Sequence, residues 1–522
     1  MRDGTRVNRI VLSTLAVAGL IATGLPATAA KKPPAKHPKV VKKAVAPKPT
    51  GPCSADMSAT GGDWATYGQT LMGQQHQSGE SRINASNVAS LKQAWSTAST
   101  GYQSIPIVAG GCVFVVDATN GLEALSLDSG KLLWRAHGGP PTAGSWAPSV
   151  DHGVVRLTVL NAGKPLAVAF SAADGSFLWQ SAEVYFGYTQ WQDSSAVVWF
   201  DKVRAPRGIQ VVTTTGPDFD PKARPGYALI DATSGKILYS ATTIPAADIA
   251  KGYSGAGIWG TPAIDPVGGY AFAGTSNPNS QTKEHPYTDS VLKIDINPKR
   301  TATFGHIVGA FKGDPDALIP SAYNTPACQA AAATVPNVEG QFGCTQTDVD
   351  FGVGPTLFRA PANAGPYAGH LMAAIEQKSG MLWLIDTESM TVARGDLIDA
   401  DSSFVTCCNA RVATDGKTLF VQSRPYLQAI DAMTGTVLWR VPFGGTGGDV
   451  ALANGVTYYV SSHGPQAFDA TSGQLLWDPT VTDPANNLGP QTAAGQTPAE
   501  GVAIAGGHVV TNVGGVITAW KL

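Results

Sequence analysis

The sequence predicts an all-β chain: an eight-bladed β-propeller whose ring is closed by its N- and C-terminal strands. Three observations predict it. One hairpin pattern recurs along the 522 residues. Gly (59) and Pro (36) are spread throughout with no internal linker, and half a repeat stands near each end of the body. Repeats of this size that carry several short strands are the signature of propeller blades.

The repeat is clearest at residues 124–134, 169–179, 229–239, 429–439 and 467–477. In each, an apolar strand ends at Ser126, Ser171, Asp231, Asp431 or Asp469, whose side chain can bond back to the turn backbone. Gly130, Gly175, Gly235, Gly435 or Gly473 then supplies the positive φ of a tight hairpin. A second apolar strand follows and ends in Trp, or in Tyr239. A large aromatic at one fixed place per repeat can wedge between neighbouring repeats. Weaker copies lie at 292–300 and 384–394, which makes seven. Residues 516–520 form a strand without a hairpin partner, and so do residues 91–95. Joining the two gives an eighth blade and removes the open edges; seven blades is the alternative count.

Ahead of the body, Arg2, Arg6 and Arg9 precede an apolar run from 10 to about 25 that ends in small residues at 27–30. Residues 1–30 are expected to be a secretory signal peptide and the protein secreted or extracytoplasmic, an uncleaved anchor being the alternative. Residues 31–62 read as a Lys/Pro/Ala-rich disordered linker, and the propeller is expected over 63–522. Residues 1–52 carry ten Lys/Arg and one acid, leaving 26 basic against 37 acidic residues and a net charge near −11 beyond them. That balance excludes nucleic-acid binding through phosphate neutralisation.

The segments Asp63-Trp64-Ala-Thr-Tyr67-Gly68, Asn84-Ala-Ser-Asn87-Val88 and Leu91-Lys-Gln-Ala-Trp95, with the docking repeats, resemble the pyrroloquinoline quinone (PQQ)-dependent alcohol dehydrogenases. Gln377-Lys378-Ser379-Gly380 and Asp348-Val-Asp350-Phe351-Gly352 resemble the polyvinyl alcohol dehydrogenase-like branch. The resemblance spans 63–522 and implies a quinoprotein propeller that oxidises alcohols with PQQ and Ca²⁺. It implies Asp350 as catalytic base, Trp259 as the platform on which the quinone stacks, and Lys378 as a cation at the quinone oxygens. It implies Asn277 as a metal ligand and Asp218 in place of the family's second ligand, a Glu. These types suit the chemistry. A base must take the hydroxyl proton, and Ca²⁺ takes oxygen ligands and polarises a carbonyl. No Cys-x-x-Cys-His stands in the chain, so electrons would go to an external acceptor. The reading of a different class is a cofactor-free propeller that serves as a scaffold for a cell-envelope protein partner.

Six Cys in an exported chain are consistent with disulfides. Cys328 and Cys344 share one insertion before Asp350 and are expected to pair, which leaves Cys53 and Cys112 by elimination. Cys407 and Cys408 are adjacent. The resembled family has an adjacent-Cys disulfide over the quinone, in an early blade. Here the pair would be a cofactor contact from a late blade or two unrelated Cys at a strand start.

Overall fold

A computed structural model describes residues 51–522 apart from 99–100, 102–103, 218–219, 281–282, 315–348, 399–410, 424–425, 443–447, 449, 462–463 and 483–500. Each repeat forms the expected hairpin, and two further strands complete a blade. Among the described residues the strands make eight sheets, antiparallel apart from one short added strand. Seven follow in chain order over 107–135, 149–180, 197–242, 263–312, 356–397, 413–442 and 450–477. The eighth joins Gly501–Ala505, His508–Val513 and Val516–Lys521 to Lys92–Ala98 from the other end of the chain. Its register sets Lys92 opposite Lys521 and Trp95 opposite Ala519, so the two orphan half-repeats close the ring.

The turn chemistry follows the repeat. Asp431 accepts hydrogen bonds from the backbone N–H of Met433 and Thr434, and Asp469 from those of Thr471 and Ser472. The second strand of a blade, Cys112–Asp117 for example, is buried along its whole length because a neighbouring blade covers each face. The fourth strands lie at the outside, and residues there such as Leu132 and Leu438 are exposed.

The repeated aromatic docks one blade onto the next. Trp134, at the end of the first blade, lies on Gly175, the turn glycine of the second; a Cβ there would sit 2.5 Å from the indole. Gly175 also has φ +74°, so packing and backbone both require glycine. The indole N–H of Trp134 donates to Ala172 O at 3.1 Å. Trp95 repeats the arrangement on Leu127 O at 2.6 Å and Trp439 on Ala470 O at 2.9 Å. Where the repeat is weak, Arg394 does the same task, donating to Ala432 O at 2.9 Å.

The segment before the first blade does something the repeats do not announce. Trp64 pairs with Val108 of the first inner strand. The carbonyls of Ala65, Leu71, Met72, Gln74 and Gln75 then accept from Val150, Ile264, Leu357, Thr414 and Leu452, each on the inner strand of a different blade. His76–Gln77 runs parallel to Val450–Ala453, and Gln77 Nε2 donates to Ile504 O in the last blade. A segment that bonds in turn to seven inner strands must wind around the inside of the ring. Residues 64–77 are therefore a hub, with Trp64 fully buried in it.

Residues 51–62, counted with the linker on composition, pack on this body. Cys53 is disulfide-bonded to Cys112 of the first blade with Cα atoms 5.0 Å apart, Ala55 N donates to Gly110 O, and Met57 is in the core. Cys328, Cys344, Cys407 and Cys408 lie outside the described residues.

Candidate active site

Blade topology brings distant residues to one end of the ring. The start of an inner strand and the end of the next, antiparallel strand share an end. Trp259 precedes the inner strand Ala263–Asp265, and Asp350 precedes Thr356–Arg359. Asn277 follows the second strand Tyr270–Gly274, and Lys378 follows Leu371–Glu376. All four therefore sit at the same end, on blades four and five.

Three of them touch. The Trp259 indole N–H donates to Asp350 Oδ2 at 3.2 Å. Lys378 Nζ is 3.0 Å from Asp350 Oδ1 and 5.0 Å from the centre of the Trp259 ring. The Lys378 backbone N–H donates to Asp350 O at 3.1 Å, which fixes one segment against the other. The Asp350 and Lys378 side chains are only 4% and 9% exposed, so this ion pair is shielded from water and costs desolvation that its Coulomb attraction must offset. Such a group is arranged at the expense of stability, as functional groups often are.

Asn277 is buried beside them. Its carbonyl accepts from Ala256 N, and Ser276 Oγ accepts from Gly257 N, so the strand end carrying Asn277 is pinned to the segment leading to Trp259. Asp218 lies outside the described residues, but its neighbour Pro217 accepts from Asn279 Nδ2 at 3.2 Å, which holds that loop two residues from Asn277. Among the described residues no group of three or more His, Cys, Asp or Glu is arranged to hold a metal.

Two neighbours of the site, and one acid before the third blade, belong to no motif. Arg411, fully buried, donates to Thr261 O and lies 5.0 Å from the centre of the Tyr67 ring, linking the hub to the Trp259 segment. Asp289 is buried with φ +45°, and burial pushes its carboxyl well above the usual range against the opposing pull of Lys312. Asp193, before the third blade's inner strand, is pushed up to about 6 by burial, with a hydrogen bond from Trp146 opposing the shift.

The Asp193 shift has a sign that can be measured. Between pH 4 and 6 the folded protein keeps a proton that the unfolded chain has lost, so stability falls as pH rises through that window and then levels off. Asp193→Asn removes this loss. Urea unfolding should show the variant gaining up to about 3 kcal/mol over the parent at pH 8 and nothing at pH 4. An equal difference at both pH values would refute the shift.

The relatives agree with this architecture. The family described as outer membrane protein assembly factor BamB, a PQQ-type propeller family, matches residues 55–185 and 369–520, more than half of the chain. A polyvinylalcohol dehydrogenase of Pseudomonas sp is 23% identical over 491 residues, covering 83% of this chain and 70% of the relative. The crystal structure of quinohemoprotein alcohol dehydrogenase from Comamonas testosteroni superposes with a TM-score of 0.63 at 14% identity, over 89% of this chain and 81% of that one. A europium-containing methanol dehydrogenase superposes with the same TM-score, 0.63, at 14% identity, over 89% and 99%. By the extent of the family match and the eight closed blades, this chain belongs to the PQQ-type propeller family and is built like its alcohol dehydrogenases.

Proposed function

We propose that the protein is an exported dehydrogenase that oxidises alcohols, polymeric or secondary ones included, with PQQ and Ca²⁺, and passes the electrons to an external acceptor. One observation carries the reading: Trp259, Asp350 and Lys378, from segments 91 and 119 residues from the tryptophan, share one water-poor contact. Blade packing alone needs no ion pair there, which favours this reading over a cofactor-free scaffold.

The donor set suits a flat quinone. Trp259 is a half-buried indole with an ammonium above its ring, a platform and a hydrogen-bond donor of the kind a quinone with carbonyl oxygens requires. Lys378 would hold the quinone oxygens. Asn277 and Asp218 would hold Ca²⁺ through oxygen. When bound, the quinone supplies the hydride acceptor and the metal polarises it. Asp350 takes the proton of the substrate hydroxyl. Trp259 N–H orients its carboxylate, and the Lys378 ammonium 3.0 Å away supplies its counter-charge.

The test is direct. Purified protein incubated with PQQ and Ca²⁺ should retain quinone absorbance through gel filtration and then reduce an artificial dye only when alcohol is added. Passage of all the quinone through the column unretained would overturn the reading.

A further inference from the structure

A base that is nearly sealed from water must lose its proton before it can act again. Asp350 is such a base, and the structure places a second acid beside it. Asp289 stands directly before Ser290–Asp295, the third strand of blade four, and is fully buried. Its N–H donates to Ser276 O, while Phe351 N donates to Thr275 O, so Asp289 and Asp350 flank the same short stretch of backbone. The Asp350 charge adds to the upward push that burial gives the Asp289 carboxyl. Asp289 Oδ1 has no hydrogen-bond partner, and the residue is held at φ +45°, in the left-handed region that is sparsely populated by non-glycine residues. Oδ2 faces outward along a connected path: Lys312 Nζ is 3.3 Å from it and 2.5 Å from Glu284 Oε1. Lys312 and Glu284 are 31% and 23% exposed, so the path reaches solvent.

We propose that Asp289 is the proton-relay partner of Asp350. It receives the proton Asp350 has taken from the alcohol and releases it outward through Lys312 to Glu284. The balance is one proton in and one out. Asp350 returns to the carboxylate, and Asp289 gains a proton from it and loses one to Lys312. The Lys312 ammonium first gives a proton to Glu284, which gives it to water; the amine then takes the proton of Asp289, whose carboxylate takes that of Asp350, and no residue changes its net charge over the cycle. The hydride and its electrons go to the quinone and do not enter this path. A carboxyl kept neutral by burial can hold a proton there without an unpaired charge. The relay rests on the reading of Asp350 as base.

The experiment has two arms. In the full chain without cofactor, infrared spectroscopy at pH 7 should show the C=O band of a protonated carboxylic acid, and Asp289→Asn should remove it. In the chain loaded with PQQ and Ca²⁺, Asp289→Asn should lower turnover at least ~10-fold in dilute buffer, and imidazole or formate should restore much of it, with quinone uptake unchanged. Glu284→Gln, at a partly exposed position where folding is not at risk, should show a smaller loss, about 2–5-fold, with the same rescue. An infrared spectrum unchanged by Asp289→Asn, turnover unchanged at every buffer concentration, or a loss that no buffer rescues would each overturn the relay. A loaded parent protein that turns over no alcohol would instead remove Asp350's role as base, and the relay with it.

Discussion

Asp350→Asn should reduce alcohol turnover about 10²–10⁴-fold, the range a positioned general base contributes. The variant keeps the shape of the side chain and one oxygen for the Trp259 indole, which now bonds Oδ2 at 3.2 Å. It cannot take a proton from the substrate. Its amide also presents N–H groups where Lys378 Nζ sits 3.0 Å away, so the ammonium loses its counter-charge. Quinone retention should therefore change only several-fold while turnover collapses. The acidic limb of the pH–rate profile, which reports the base, should vanish with it. Turnover equal to that of the parent would remove Asp350 from the chemistry. Loss of quinone retention in step with turnover would make it a structural residue of the pocket.

Trp134→Ala should cost about 3–5 kcal/mol of stability, the usual range for deleting a buried Trp. Three separate contributions are lost at once. The indole lies flat on the Gly175 turn, its N–H satisfies Ala172 O, and its ring sits 5.8 Å from Phe114 within its own blade. The cavity cannot collapse, because Gly175 has no side chain to fill it and the turn is held by its own hydrogen bonds. Trp134→Phe keeps one ring of the contact while dropping the hydrogen bond to Ala172 O, so it should cost less, about 1–3 kcal/mol. Urea midpoints of the two variants would separate packing from bonding. Equal losses would show that the carbonyl, not the ring, is what the next blade needs.

The residues explain why parts of the fold were legible and others were not. The hairpin and its docking aromatic obey local rules. Asp231 or Asp431 with a glycine four residues on is a turn in any context, and the aromatic follows at a fixed offset. Ring closure was legible because a strand without a partner needs one. Residues 64–77 gave no such signal: their hydrogen bonds go to seven separate blades, so no period or turn motif records them. Residues 51–62 were misassigned to the linker by composition, because a bridge from Cys53 and a buried Met57 do not alter Pro and Ala content. In the candidate site, motifs point to Trp259, Asp350 and Lys378; no motif points to Asp289 or Arg411, nor to Asp193 in blade three. Each of these three acts through burial and neighbours that only the closed ring supplies. The fifth blade shows the limit of a pattern: Arg394 reaches the carbonyl that Trp reaches elsewhere.

Hub and closing strand together impose an order of events on a chain that is made from its N-terminus. Gln77 must find Ile504, 427 residues away, and Ser96 must find Thr518, 422 residues away. Early blades can form hairpins as they emerge, since those contacts are local. The ring cannot lock until the final strands arrive, and until then the Gln77 amide and the edge of Lys92–Ala98 wait for their partners. Closing loops of that length makes the last step slow. Nothing in the first half of the chain can therefore set prematurely into the finished ring.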